Sequence, residues 1–215
     1  MAETQDEPDL VALAFELIAL NGWNGFRLGE LAQRAGLPLA RVHAELPSRA
    51  ALLRRLGERL DRAMLEVDPG ELAELEPRDR VFELIMRRLD AMASFKPGLR
   101  ALSREGCSDP DVVLASMCNL SRLAEWLLDT AGARAGGLGG IVGRKVLALI
   151  YLRVFGVWLR DETPDQAHTL AELDRRLRQA EQLARWLHPR RARPGTERGS
   201  GSGDESPPEA PPVTA

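Results

Sequence analysis

The chain is poor in the residues that most often do chemistry. Among 215 residues there are two cysteines, three histidines and one tyrosine, and aromatics make up only 5%. Cys107 and Cys118 form no CxxC and have no histidine beside them. Neither a disulfide framework nor a zinc site is expected, and both thiols read as reduced. His43, His168 and His188 are dispersed, and no HExxH or GxSxG occurs. The carboxylates fall on helix faces and caps. No catalytic set, metal or cofactor is expected, and the chain does not read as an enzyme. Long apolar runs are missing too. The longest uncharged one, Val146 to Leu152, is far short of the roughly 20 residues that span a bilayer. The acidic start, MAETQDEPD, has no signal or transit character.

What remains is a helix-forming composition. Hydrophobic residues are 44% and charged residues 28%, enough for a real core, and Leu, Ala, Arg and Glu dominate. No segment shows strand-like alternation and none repeats. The net charge of -3 is unevenly spread. Between Arg27 and Arg62 stand eight arginines (27, 34, 41, 49, 54, 55, 59 and 62) and four acids, a window of +4 that leaves -7 elsewhere. A basic head on an acidic body suits contact with phosphate, although arginines on helices are as often a solvated face.

The organising stretch is Arg27 to Leu53, RLGELAQRAGLPLARVHAELPSRAALL. It reads as a short helix over Leu28 to Ala35, a turn at Gly36, a second helix to about Glu45 with Pro38 in its first turn, and a Pro47-Ser48 start to a longer helix. That is a helix-turn-helix. Before it, Asp9 to Asn21 reads as a helix stopped by a left-handed Gly22, with Trp23 and Phe26 packing beneath. After it, the fourth helix runs to about Val67 on a Leu52, Leu53, Leu56, Leu60, Met64 stripe. Residues 1–8 are expected to be loose, 9–67 to form the head, 68–188 the body, and 189–215 an unstructured tail rich in Pro, Gly, Ser and charge.

In the body, Pro77 opens a helix carrying Val81, Ile85, Leu89 and Met92, and Pro97 opens a short one. Asp109-Pro110 caps another that runs to Ala131. Gly132 to Gly143, GARAGGLGGIVG, reads as a glycine-rich loop. It has no preceding strand and no terminal GKS or GKT, which argues against a phosphate loop. Arg144 to Arg160 is apolar nearly all round, with Arg153 the exception, so it should be covered on more than one side. Thr163-Pro164-Asp165-Gln166 has the form of a capping box. The last helix carries Leu170, Leu173, Leu177, Ala180 and Ala184 at alternating spacing, a coiled-coil-like seam that predicts pairing with a second copy.

These residues carry a family likeness. AFELIALNGWNGFRLGELAQRAGLPLARVHAELPSRAALL resembles the N-terminal domain of TetR-family regulators over about residues 10–60. The resemblance implies an all-α, TetR-like fold of about nine helices, a three-helix head on a helical-bundle body for ligand binding and dimerisation, and binding to a duplex DNA operator. RKVLALIYLRVFGVWLRDETPDQAHTLAELDRRLRQAE is similar to the last two helices of the TetR-fold lipid-binding proteins of coenzyme Q (ubiquinone) biosynthesis. That second likeness implies a non-enzymatic accessory protein with a degenerate head. It would present an isoprenoid lipid to a quinone-biosynthesis hydroxylase. On either likeness the chain is expected in the cytoplasm, and on the second also at the periphery of the inner membrane surface. The chain departs from both groups. The Ser or Thr that caps the second helix in the regulators is Arg27, the Tyr of the recognition helix is His43, and Glu45 adds an anion. The terminal membrane-lying helix of the quinone proteins is replaced by the tail.

Base readout needs long polar side chains at base edges, and Arg41 and His43 are the candidates, beside Leu39. Phosphate anchors would be Arg27, Arg34 and Arg49, with Arg54 a further possibility. A pocket in the body would be lined by Met86, Leu89, Met117, Leu120, Leu123, Trp126, Leu127, Tyr151, Phe155 and Trp158. With few polar groups among them, the expected guest is a hydrophobic small molecule or isoprenoid lipid.

Overall fold

A computed structural model describes residues 8–132 and 138–187 of the chain. The expected loose start and the tail from Pro189 lie outside the described residues, apart from Pro8. Ten α-helices account for nearly everything described, and no strand occurs among these residues. They are α1 (Leu10–Gly25), α2 (Leu28–Ala35), α3 (Leu39–Glu45), α4 (Arg49–Leu65), α5 (Pro69–Glu74), α6 (Pro77–Ala91), α7 (Lys96–Glu105), α8 (Pro110–Thr130), α9 (Leu138–Trp158) and α10 (Ala167–Leu187). The helix beyond the expected nine is α5. Pro69-Gly70 is therefore not a bare junction: Asp68 caps a six-residue turn there by accepting from the Gly70 N–H at 2.8 Å.

Local chemistry sets the head. Asp9 accepts from the amides of Val11 and Ala12, both at 3.1 Å, and starts α1. Gly22 breaks α1 at φ 74°, ψ 169°. That is not the left-handed helical stop expected but an extended conformation at positive φ, which only glycine adopts readily. The chain then resumes a short helical turn to Gly25 instead of ending. At Gly36 the expected left-handed turn is present (φ 66°, ψ 24°). Leu37 N–H reaches Ala32 O at 3.0 Å and Gly36 N–H reaches Gln33 O at 3.2 Å, closing α2 as a Schellman motif. Pro38 sits one place earlier than expected, at the N-cap of α3, and Ser48 Oγ accepts from Ala51 N–H to start α4.

One continuous core joins head and body. Trp23 and Phe26 are buried and stacked, with ring centroids 6.4 Å apart. The α4 stripe from Leu52 to Met64 and the α6 stripe from Val81 to Leu89 are buried as their spacing requires. α1 lies along α7, α4 packs between α6 and α8, and α9 bridges α8 and α10. The closest approach is at Gly98 of α7, where a Cβ would stand 2.5 Å from the Phe15 carbonyl oxygen of α1.

One expectation about α9 is corrected. Residues 138–143, expected as glycine-rich loop, form its first turns, because three small residues there do not outweigh propagation from the long helix behind them. As expected, α9 is covered on more than one side, by α8, α10 and α6, while Leu149 and Leu152 stay exposed on its remaining face.

The contact at Gly98 and the open surface at Gly29 of α2, where a Cβ would meet nothing within 4 Å, give opposite expectations. Gly98→Ala should lower stability by about 2–3 kcal/mol through overpacking against backbone. Gly29→Ala should raise it by about 0.5–1 kcal/mol through helix propensity. Chemical denaturation of the two variants beside the parent checks both signs.

Candidate nucleic-acid interface and guest site

The α2–turn–α3 unit presents α3 outward. Leu39, Ala40, Arg41, His43 and Ala44 are exposed, while Val42 alone of that helix is buried beneath them. This is the placement a recognition helix needs. The cations around it are engaged within the chain. Arg41 Nε donates to Glu45 Oε1 at 3.1 Å, one turn along the same helix. Arg34 donates to Glu16 at 3.3 Å. Arg27 turns back to the carbonyls of Asn24 and Phe26 at 2.6 and 3.0 Å. Arg49 donates to Phe26 O at 2.9 Å and covers the Trp23 ring at 5.2 Å. Arg54 pairs with Glu58, and Arg59 with Asp9. Six of the eight arginines in the basic window thus already have partners. The exposed pairs among them contribute little, on the order of 0.2–1 kcal/mol each, so exchanging Glu16 or Glu45 for a phosphate costs the head little. Arg27 and Arg49 have backbone partners and are the more firmly held.

The residues proposed for a pocket separate into three groups. Leu89, Leu123, Leu127, Tyr151 and Trp158 are buried. Met86, Leu120 and Phe155 are half-buried against the same core. Met117 and Trp126 do not join them: they are 61% and 42% exposed. α8 turns Val112, Leu123, Ala124 and Leu127 inward, and the angular offset along the helix carries Met117 and Trp126 off that face. The aromatic members form a stack, with centroid distances of 6.1 Å for Tyr151–Phe155 and 5.8 Å for Phe155–Trp158.

The seam on α10 is also corrected. Leu173 is fully buried and Leu177 nearly so, and both face α6 and α9 of the same chain. Leu170 and Ala180 are half-buried, and only Ala184 is open. The periodic leucines are used up inside the monomer. Exposed apolar side chains stand at Leu183 of α10, at Val113, Leu114, Met117 and Trp126 of α8, and at Ile141, Val142, Leu149 and Leu152 of α9.

A charged layer in the body is absent from the sequence reading. Asp61 of α4 and Arg88 of α6 are 7% and 3% exposed. Arg88 Nη1 donates to Asp61 Oδ1, and Arg122 Nε of α8 donates to Asp61 Oδ2 at 2.6 Å. Arg122 Nη2 also reaches Asn119 Oδ1 at 3.0 Å, and Asn119 Nδ2 caps Leu53 O of α4 at 2.8 Å. Arg88 lies 6.0 Å from the Tyr151 ring centroid. The spacing of Arg88 among apolar neighbours could have flagged it, since Ile85, Arg88 and Leu89 share one helical face.

The Asp161–Thr169 segment is a second buried polar knot. Asp161 accepts from the amide and hydroxyl of Thr163 at 3.1 and 2.6 Å, and from the amide and hydroxyl of Thr169 at 2.9 and 2.7 Å. Lys96 Nζ donates to Asp161 O at 2.6 Å and sits 4.7 Å from the Trp158 ring centroid. The expected capping box does not form. Gln166 takes φ 53° and α10 begins only at Ala167. Gln166 Nε2 instead donates to Asp90 Oδ1 at 2.7 Å. Burial would raise the Asp161 pKa, but the four hydrogen bonds outweigh it and hold the carboxyl well below the usual carboxylate range.

Because the folded pKa is depressed, the Asp161 contribution is present above the unfolded value of about 3.9 and is lost as pH falls through the folded value. Asp161→Asn is expected to cost about 2–4 kcal/mol at neutral pH. The gap between variant and parent should narrow steadily as denaturation is repeated below about pH 4. A gap independent of pH would contradict this reading.

Among the described residues no group of three or more His, Cys, Asp or Glu is placed to hold a metal ion, and none of the described helices is long and apolar enough to cross a membrane. Residues 113–184, from α8 into α10, match the family model of COQ9. No curated protein matches the chain. Solved structures do. A TetR transcriptional regulator from Nitrosomonas europaea is 26% identical, over 80% of this chain and 96% of that one, with a TM-score of 0.68. A TetR-family regulator from Streptomyces coelicolor is 16% identical over 87% and 85%, at 0.62. A transcriptional regulator from Rhodococcus sp. RHA1 is 18% identical over 80% and 94%, at 0.59. The chain therefore has the all-α fold of the TetR transcriptional regulators, and its body from α8 to α10 resembles COQ9.

Proposed function

We propose that the chain is a TetR-type DNA-binding regulator that works as a homodimer and responds to a hydrophobic guest in its body. The observation that carries this reading is the intact helix-turn-helix, with a Schellman turn at Gly36 and a fully presented α3 face. Leu39, Arg41 and His43 would meet the major groove, and Arg27, Arg34 and Arg49 the flanking phosphates. The guest would enter near the half-buried Met86, Leu120 and Phe155. Movement of α4, which carries Asp61 in the body and starts beside α3, would then change the spacing of two heads and their fit to half-sites. Operator binding should give a sequence-dependent gel shift on the DNA upstream of the protein's own gene. Arg41→Ala and His43→Ala should each weaken it about 5–10-fold at fixed salt. No sequence-dependent shift at micromolar protein would exclude this function.

The second copy is assigned to the exposed apolar row on α8 and α9. Exposed apolar side chains on two helices that pack together suit an interaction face, and a two-fold pairing is the simplest closure that covers it. Leu149→Asp combined with Leu152→Asp should turn dimer into monomer in sedimentation and leave the helical content unchanged. A parent that sediments as a monomer would refute the pairing.

A second reading is favoured by one observation, the COQ9 match, which falls wholly on the body and omits the head. In that reading the chain is a lipid-binding accessory protein of ubiquinone biosynthesis, partnered with a hydroxylase, and its self-paired head arginines have no DNA to meet. Unchanged quinone content in a deletion strain would rule it out.

A further inference from the structure

The body is less apolar inside than a purely hydrophobic guest requires. Asp61 is one carboxylate set against two guanidiniums, so the layer between α4, α6 and α8 holds one positive charge more than it neutralises. Arg122 meets solvent at its edge, with 35% of its side chain exposed, whereas the Arg88 side chain is 4% exposed. Arg88 Nε is buried and has no hydrogen-bond partner. Beside it the Tyr151 hydroxyl has only the Met92 sulfur, at 3.9 Å, as acceptor, and a thioether accepts weakly. Burial pushes the Tyr151 phenol up, with Arg88 opposing, so the hydroxyl keeps its proton and remains a donor. Two donors without adequate acceptors, Arg88 Nε and the Tyr151 hydroxyl, thus stand beside a set of charges that is net positive by one, and each unanswered donor costs stability.

We infer that the guest carries an anionic oxygen head group, a carboxylate, and that Arg88 and Tyr151 receive it while its apolar chain leaves between the half-buried Met86 and Phe155. The inference rests on the reading that the body takes a hydrophobic guest and names its head. A single negative charge matches the single excess positive charge, which selects a carboxylate over a doubly charged phosphate. Phe155 stacks on Tyr151 and is itself half-buried, so it is the ring of this group nearest the surface. A fatty acid and a prenylated aromatic acid share this chemistry.

The test is calorimetric titration of the full chain with dodecanoate and with 1-dodecanol, which share a chain and differ in the head. The acid should bind at least about tenfold tighter than the alcohol. Arg88→Met should bring the acid down to the level of the alcohol. Because that variant leaves Asp61 short of a partner and could unfold, Tyr151→Phe is the second arm. It keeps the ring and should weaken the acid about 3–10-fold while leaving the alcohol unchanged. A prenylated benzoate should then retain the acid preference if the natural guest is aromatic, and lose to dodecanoate if it is a fatty acid. Either order supports the head-group assignment. Equal binding of acid and alcohol would overturn the inference and leave the hydrophobic-guest reading standing. Binding of neither would overturn both. An acid preference untouched by both substitutions would overturn the assignment to Arg88 and Tyr151.

Discussion

Asp61 leaves the buried face of α4 and meets Arg88 from α6 and Arg122 from α8 at the same time. Three helices are fixed to one carboxylate, and the same α4 is capped by Ser48, three residues after the end of α3. Removing one partner of such a buried set costs several kcal/mol because the remaining charge is stranded. Its arrangement is therefore the constraint that other features must satisfy. Asn119 must approach α4 at Gly57, where a Cβ would lie 2.6 Å from the Asn119 side chain. Tyr151 must lie under Arg88 with its hydroxyl facing a thioether. The set carries one net positive charge, which an all-apolar core would lack.

The two likenesses of the chain correspond to different physical parts. The TetR likeness rests on turns, caps and burial: Gly36, Ser48, the α4 leucines and the outward face of α3. The COQ9 likeness rests on α8 to α10 and includes the Asp161–Thr169 knot. That knot fixes the α9–α10 corner, through Asp161 to both threonines and through Lys96 back to α7. A motif whose side chains are consumed in holding a corner is informative about fold. Function is then decided by what the head and the buried charge layer contact.

Helix-level features were legible in the sequence wherever the signal was local. The Gly36 turn, the Ser48 cap, the Asp109-Pro110 start and the apolar stripes of α4 and α6 depend on neighbours within a turn or two. Tertiary context decided the rest. The α10 leucines are spaced like a dimer seam, and the same spacing serves packing onto α6 and α9, so periodicity could not distinguish the two. Met117 and Trp126 belong to the right helix but lie on its outer side. Gln166 adopts positive φ because Asp161 and Asp90 hold the turn, which no local capping pattern encodes. The charge layer drew on residues 27 and 61 positions apart in sequence, beyond any local reading. Arg27, Arg34, Leu39, Arg41 and His43 are exposed and Arg49 is half-buried; their partners within the chain, such as Glu16 for Arg34, were not visible in the sequence.

The central claim is that one fold combines a presented recognition helix with a body that accepts an acidic amphiphile. Native mass spectrometry of the full chain, purified without detergent from the cells that make it, tests this most directly. The account predicts a dimer carrying a copurifying amphiphile that extracts as an acid. A bare monomer with no bound organic molecule would contradict it.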